Sequence, residues 1–429
     1  MLPKWNAFVT RFRPFFESGV WAGLTTMSKA LSQLIVVKYI ALHFSPATLG
    51  VTGQAMSLIA ILQTLAGGGI ANGVIRRFAL DGTDEIKGPA FISASFSYGL
   101  IFSSIFFLSG ALFSNEIADW AFGETTWSSF VFWLGLSSFL SFTVSFSQSL
   151  LSAKSLVKEI FWANFLGLTS GVVAFLFLTR AYGESGVLFG LLALILAPAI
   201  SFLVQLLRQN WFHLASLKPR WNAGLKKELV PFTLIALIGG ALVPVIYVLL
   251  RSGIEDKMGW NQVGYWQAII KVSELLFSFI GLFIASTFYP RVAAANTSKQ
   301  AFRQTMIFAA PYAIFLALSL FVIGVFGETV LSLIYSDAYR FLKADLNILL
   351  FGCFFRALGW LCAFLLMARN HLKVYLSLEI VSSIALYVIC RAGLERGFTP
   401  LIWAQVIHSV FYLTLLFTFV YYLQRKERL

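Results

Sequence analysis

Charge is scarce in this chain: 12% of its 429 residues are Asp, Glu, Lys or Arg, against 59% that are hydrophobic. A mean hydropathy of +0.81 excludes a soluble domain of this length. Cysteine is nearly absent. The three present, Cys353, Cys362 and Cys390, lie in or at the edge of apolar runs without metal-ligand spacing. Neither a disulfide framework nor a zinc site is expected, and they read as core residues. The chain lacks a Gly-x-x-x-x-Gly-Lys-Ser/Thr loop, which argues against an ATP motor, and no cofactor is expected. Strand-like alternation is missing too. The apolar runs are continuous over about twenty residues, which favours helices over an outer-membrane barrel.

What is present is a series of twelve such runs, at about 18–42, 46–75, 88–113, 127–152, 157–180, 185–207, 227–250, 262–289, 303–326, 345–368, 372–391 and 399–423. The basic start (Lys4, Arg11, Arg13) imitates a signal peptide, but the run after it is long and lacks a small-residue cleavage site. It reads as an uncleaved first span. Assigning the loops alternately to two sides puts 21 Lys and Arg on the N-terminal side and 7 opposite, with Arg251 among the 7, just past span seven. The other 4 of the 32, Lys29, Lys38, Lys271 and Arg356, fall inside spans. By the positive-inside rule both termini are cytoplasmic. The net charge of +13 is thus a topology signal, spread over short loops, and no nucleic-acid partner is expected. The longest external loop, Gly327 to Ala344, is too short for a catalytic domain outside the membrane.

The expected fold is an all-α integral membrane protein, twelve transmembrane helices in two six-helix lobes around a central cavity. Residues 1–208 and 228–429 form the lobes, joined by a basic cytoplasmic linker at 209–227. A duplication is suggested by Leu49-Gly50 then Gln54-Ala55 in span two, set beside Val263-Gly264 then Gln267-Ala268 in span eight. Each is followed at the cytoplasmic exit by an arginine, Arg76 and Arg291. Two spans look mechanically soft: span two at Gly67, Gly68, Gly69 and Gly73, and span seven at Gly239, Gly240 and Pro244.

Polar residues inside the spans mark where function is to be sought, because a charge at mid-bilayer costs roughly 2.5–3.5 kcal/mol on insertion scales. In span one, Thr25, Thr26, Lys29, Ser32 and Gln33 share one helix face. Lys29 is either one wall of a cationic cavity or a snorkelling structural residue; Lys38, out of phase and near the outer end, ranks below it. In span eight Gln267, Lys271, Glu274 and Ser278 form a stripe, in which Lys271 and Glu274 are either a self-neutralised pair or a cavity wall with a protonatable switch. Arg356 in span ten and Glu379 in span eleven either pair with each other or leave Arg356 free for a bidentate phosphate contact. The serines of span four (Ser137, Ser141, Ser145) read as packing contacts, and His408 in span twelve as hydrogen-bonded packing.

Three stretches resemble the Wzx-type flippases of lipid-linked oligosaccharides. They are Ala66-Gly67-Gly68-Gly69-Ile70-Ala71-Asn72-Gly73-Val74, Leu217-Lys218-Pro219-Arg220-Trp221-Asn222-Ala223-Gly224-Leu225, and Val263-Gly264-Tyr265-Trp266-Gln267-Ala268. The likeness is nearest to the WzxE type that handles enterobacterial common antigen lipid III. It implies the multidrug/oligosaccharidyl-lipid/polysaccharide exporter superfamily, a bacterial inner-membrane location, and an undecaprenyl-diphosphate-linked oligosaccharide as cargo alongside membrane lipid. Glycan polymerase and chain-length regulator proteins are further candidate partners. The family pattern has lysines at Lys29 and Lys38, an acidic residue at Glu274, a basic one at Arg356 and a glutamate at Glu379. Arg356 here replaces a Lys, Glu274 an Asp, and Lys271 a small polar residue.

A diphosphate cannot enter hydrocarbon bare, so Lys29, Lys271 and Arg356 are the expected headgroup contacts, with serine, glutamine and aromatic residues toward the sugars; Gln33, Gln267 and Asn72 complete the expected substrate-binding set. Glu274 and Glu379 are the expected coupling or structural ion-pair residues, and Lys38, Arg76 and Arg291 are secondary. Three rivals stand beside this reading: a multidrug cation antiporter of the same superfamily, a membrane glycan polymerase or ligase, and a non-transporting partner in glycan assembly.

Overall fold

A computed structural model describes residues 2–71, 73–75, 87–218 and 223–426. Every regular element among them is helical: α1 (Leu2–His43), α2 (Pro46–Leu65), α3 (Lys87–Leu112), α4 (Ser114–Phe122), α5 (Ser128–Leu136), α6 (Ser138–Ala153), α7 (Val157–Leu207), α8 (Ala223–Ala236), α9 (Leu242–Met258), α10 (Trp260–Phe283), α11 (Tyr289–Ala293), α12 (Ser298–Val325), α13 (Gly327–Ile334), α14 (Lys343–Ala368), α15 (Leu372–Leu394) and α16 (Phe398–Arg425).

Eleven of these segments, some built from two helices end to end, are long and apolar enough to cross a membrane. One of them counts twice. The 51 residues of α7 would reach about 75 Å as a straight rod, more than twice a hydrocarbon core. Gly183 breaks the rod with φ 61° and ψ −135°. The arms fold back on each other: a side chain on Gly167, Gly171 or Gly190 would run into Pro198, Leu194 or Phe175. The described residues therefore hold twelve spans.

Both soft places expected from the glycines are present. Span two ends its helix at Leu65 and turns through Gly68 and Gly69, each at φ 66°. These positions also seat neighbours, since a Cβ on Gly68 would strike the Tyr98 ring. The Gly68 carbonyl accepts from the Thr233 hydroxyl, which lies 2.8 Å from the Tyr98 oxygen. Span seven widens into a five-residue π turn at Leu237–Ala241 between α8 and α9.

The chain packs as two compact units. Unit 1 is Met1–Val36 with Ala55–Pro244, and unit 2 is Val37–Gln54 with Val245–Leu429. This division follows packing, whereas the 209–227 linker marks the midpoint of the sequence. The last two turns of α1, from Val37, and the first half of α2 pack with the second set of helices, so the boundary runs inside helices and not in a loop.

Lipid tails are as apolar as leucine, so helices in a bilayer associate through close packing and internal hydrogen bonds. Unit 1 shows both. Gly110 of α3 and Gly135 of α5 face each other so closely that a Cβ on Gly110 would sit 2.9 Å from the Gly135 Cα. The Ser103 hydroxyl donates to the Ala66 carbonyl and the Ser138 hydroxyl to the Ser103 carbonyl, each at 2.8 Å. Between them lies a phenylalanine core: Phe142 is 5.5 Å from both Phe96 and Phe146 by ring centres. Ser137 and Ser141 are buried in the same region, as packing contacts should be. The three cysteines are free and buried in unit 2.

Candidate functional site

The ionic interior of the protein lies in unit 2, where α9, α10, α14, α15 and α16 bring charged and aromatic groups together. The start of α2 packs on the start of α10 with almost no space between backbones. A Cβ on Gly50 would come within 2.9 Å of the Gly264 nitrogen, and a Cβ on Gly264 would strike the Pro46 carbonyl. The Ala47 amide donates to Asn261 Oδ1 at 3.1 Å. The two copies of the Gly…Gln motif thus lie face to face, and both glutamines bond to residues of α9.

One of these is Arg251, 1% exposed. Its guanidinium donates to Gln267 Oε1 from Nε at 3.2 Å and from Nη2 at 2.6 Å. It also lies over the rings of Trp266 and Tyr247, at 5.3 and 5.7 Å from their centres. Gln54 donates through Nε2 to the Val248 carbonyl and the Ser252 hydroxyl, both at 3.3 Å. Arg251 belongs to the middle of a buried helix and not to an external loop, which corrects the sequence assignment. Span seven continues to Met258, two turns beyond the expected end, because Ile254 still faces the core. The signal was available: Tyr247, Leu250, Arg251 and Ile254 fall on one helix face.

Lys271 and Glu274 form an ion pair at 3.0 Å. The lysine side chain is 9% exposed and the carboxylate 41%, so one partner is enclosed and the other is reachable from outside. Gln267, one turn before, is buried on Arg251 instead of lining an open wall. Arg356 makes no ion pair among the described residues. It stands over the Phe277 ring at 5.2 Å and against the Tyr247 hydroxyl, and acts on Glu379 only through its field. Glu379 accepts instead from the Tyr412 hydroxyl at 2.8 Å. The alternative in which Arg356 and Glu379 pair directly is therefore not the one realised. His408 bonds through Nε2 with Ser382, at 3.0 Å from both its hydroxyl and its carbonyl, the packing role expected for it.

The other expected residues lie apart from this cluster. Lys29 and Gln33 are exposed on the part of α1 that belongs to unit 1. Thr25, Thr26 and Ser32 on the same face return their hydroxyls to α1 carbonyls, at 2.8, 3.0 and 2.8 Å. Lys29 forms no ion pair among the described residues. Lys38 points the other way and does different work. Its ammonium donates to the carbonyls of Ser332, Leu333 and Tyr335, at 3.3, 2.7 and 3.4 Å, closing the C-terminus of α13. Arg291 is exposed on α11. Asn72 and Arg76 lie outside the described residues.

Residues 40–344, more than half of the chain, match the model of a family described as polysaccharide biosynthesis protein. The chain belongs to that family. Over 380 residues, 85% of this chain and 88% of theirs, it is 26% identical to the lipid III flippases of Escherichia coli (strain K12) and Shigella flexneri. Its multi-pass helical fold is similar to that of transporters described as members of the MOP superfamily. A multidrug resistance MATE family transporter in its inward-facing conformation superposes at a TM-score of 0.78 and 14% identity, with 94% of this chain and 95% of that one covered. The lipid II flippase MurJ, inward closed, superposes at 0.73 and 13% identity, with 95% and 87% covered.

Within this polysaccharide-biosynthesis chain, sequence reasoning misplaced Arg251 and missed Tyr247, while Tyr412 falls on the polar face of span twelve with Gln405, His408 and Ser409. Tyr247 looks like an ordinary span residue and is marked only by its place beside Arg251 and Arg356, whereas Tyr412 is tied to Glu379 by a hydrogen bond.

Proposed function

We propose that the protein is a flippase that carries an undecaprenyl-diphosphate-linked oligosaccharide, of the lipid III or O-antigen-unit kind, from the cytoplasmic to the periplasmic leaflet by alternating access. The observation behind it is the charge balance inside the spans. Apart from the charges toward the span ends, such as Glu255, Asp256 and Lys257, it is Lys29, Lys38, Arg251, Lys271 and Arg356 that stand there against Glu274 and Glu379. An excess of fixed positive charge suits an anionic headgroup that must shed water, and opposes a cationic one. Lys29, exposed and without an ion pair, is the proposed first contact of the diphosphate. Lys271 follows, released or held according to the protonation of Glu274, while Arg356 contributes its field from behind Tyr247. Gln33 and Asn72 complete the proposed substrate contacts, and Gln267 holds Arg251. Residues 1–208 and 228–429 act as the two six-helix lobes and 209–227 as their linker, with both termini cytoplasmic. The product would pass to a glycan polymerase with its chain-length regulator.

The fold favours a second reading, since the likeness to a multidrug MATE transporter exceeds that to MurJ. One experiment separates the two. Proteoliposomes containing only this protein are loaded either with a defined undecaprenyl-diphosphate oligosaccharide, followed by leaflet-resolved labelling, or with a fluorescent lipophilic cation, each with and without a proton gradient. Flipping of the glycolipid, lost in Lys29→Met, supports the flippase. Cation efflux with no glycolipid movement overturns it in favour of drug export.

A further inference from the structure

The flippase reading gives no role to the small pocket beside Arg356. Tyr247, Ser273, Phe277, Arg356, Gln405 and His408 are among its walls, all within unit 2, and about 20 Å³ of it is open to a water-sized sphere. That is room for one water or one monatomic ion, and too little for a phosphate or a sugar.

Its polar lining offers hydrogen-bond donors and no carboxylate. Gln405 is 6% exposed, and its Nε2 has no hydrogen-bond partner. Arg356 has no ion pair among the described residues, and its cation faces the Phe277 ring. The hydroxyls of Ser273 and Ser409 are already spent on the carbonyls of Ile270 and Gln405, at 2.7 and 2.8 Å. His408 is engaged with Ser382. Glu379, the carboxylate that acts on Arg356, is bound by Tyr412 and is not in the lining. A water would satisfy the amide and leave the guanidinium with no anion in contact. An anion does both.

We infer that this pocket is a binding site for a single monovalent anion of chloride size, held between the Arg356 guanidinium and the Gln405 amide. Gln405 takes no part in the proposed headgroup contacts, so the two ideas fail independently.

The test uses the full chain in detergent at constant ionic strength, in gluconate and then with gluconate replaced stepwise by chloride or bromide. The thermal unfolding midpoint is expected to rise saturably with halide. Gln405→Leu is expected to lose that rise. Gln405→Glu, which supplies its own negative charge, is expected to unfold higher than the parent in gluconate and to ignore halide. In crystals grown with bromide, an anomalous peak is expected between Arg356 and Gln405. Equal midpoints in the two salts, an undiminished halide response in Gln405→Leu, or water density without an anomalous signal would each overturn the assignment.

Discussion

Among the described residues, the buried polar side chains of unit 1 are serines with Asn164 and Thr179, while those of unit 2 include Arg251, Lys271 and His408. The match between the two units can be read from the backbone. The turn after α6 holds Ser155 at φ 56° and the turn after α14 holds Asn370 at φ 63°, the two non-glycine residues of positive φ among those described. The bonds around them repeat: Leu156 N to Leu151 O at 2.9 Å, and His371 N to Leu366 O at 2.8 Å. Before each pair of spans a short helix and a 3-10 turn stand in the same order, α4 with Thr125–Trp127 and α13 with Asp337–Leu342. Counting back fourteen residues from each turn gives Ser141 and Arg356; counting forward nine gives Asn164 and Glu379. Among the described residues, a repeated backbone thus carries buried hydroxyl and amide side chains in unit 1 and buried charged ones in unit 2. Packing needs fix turns and close helix approaches, and leave the chemistry of a buried position free to diverge.

The sharpest way to break this comparison is to remove charge from unit 2. Arg251→Ala opens a cavity and strands Gln267, and should cost about 3 kcal/mol or more in unfolding experiments in detergent. Ser141→Ala in unit 1 should stay within about 0.5 kcal/mol. Comparable losses from both would mean that unit 2 does not depend on its ionic core. Next comes the contact between the repeat motifs. Gly264→Leu meets the Pro46 backbone, which cannot retreat like a side chain, and should destabilise by about 2–3 kcal/mol.

Two lysines of α1 then separate stability from transport. Lys38→Met removes three bonds to the end of α13 and should cost about 1–2 kcal/mol. Lys29→Met should leave stability within about 0.5 kcal/mol while reducing glycolipid flipping at least about tenfold. Equal transport defects at matched amounts of folded protein would remove the distinction. Glu274→Gln breaks an ion pair whose carboxylate is 41% exposed, and its stability cost should be under about 1 kcal/mol. The smallest effect belongs to the turns. Ser155→Gly should gain a few tenths of a kcal/mol by easing a left-handed residue, while Asn370→Gly should be close to neutral because Asn tolerates that region.

Much of the fold was legible because a bilayer leaves few choices. Runs of about twenty apolar residues must become helices, and the Gly67 to Gly69 and Gly239 to Pro244 interruptions announce their breaks. The site was legible only as a set of candidates. Lys29, Lys271, Arg356, Glu274 and Glu379 stand out as charges in apolar runs. The pair of Lys271 and Glu274 is legible as well, three positions apart on one helix, whereas the partners of Arg356 and Glu379 are not, because those two residues lie on different helices. Lys38 and Lys29 are indistinguishable in composition, yet one closes a helix end and the other is exposed. Arg251 was placed outside because the end of an apolar run is a poor measure of where a buried helix stops.

Periodicity and hydropathy by themselves determined the all-helical, multi-pass character, the number of spans and which side chains are costly to bury, since these follow from local backbone bonding and transfer from water. Tertiary structure decided which of those side chains meet: Arg251 with Gln267, Lys38 with the carbonyls of α13, Glu379 with Tyr412. Such meetings join residues up to about three hundred positions apart, and their geometry is set by helix crossings at glycines such as Gly50 and Gly264, which no local pattern encodes.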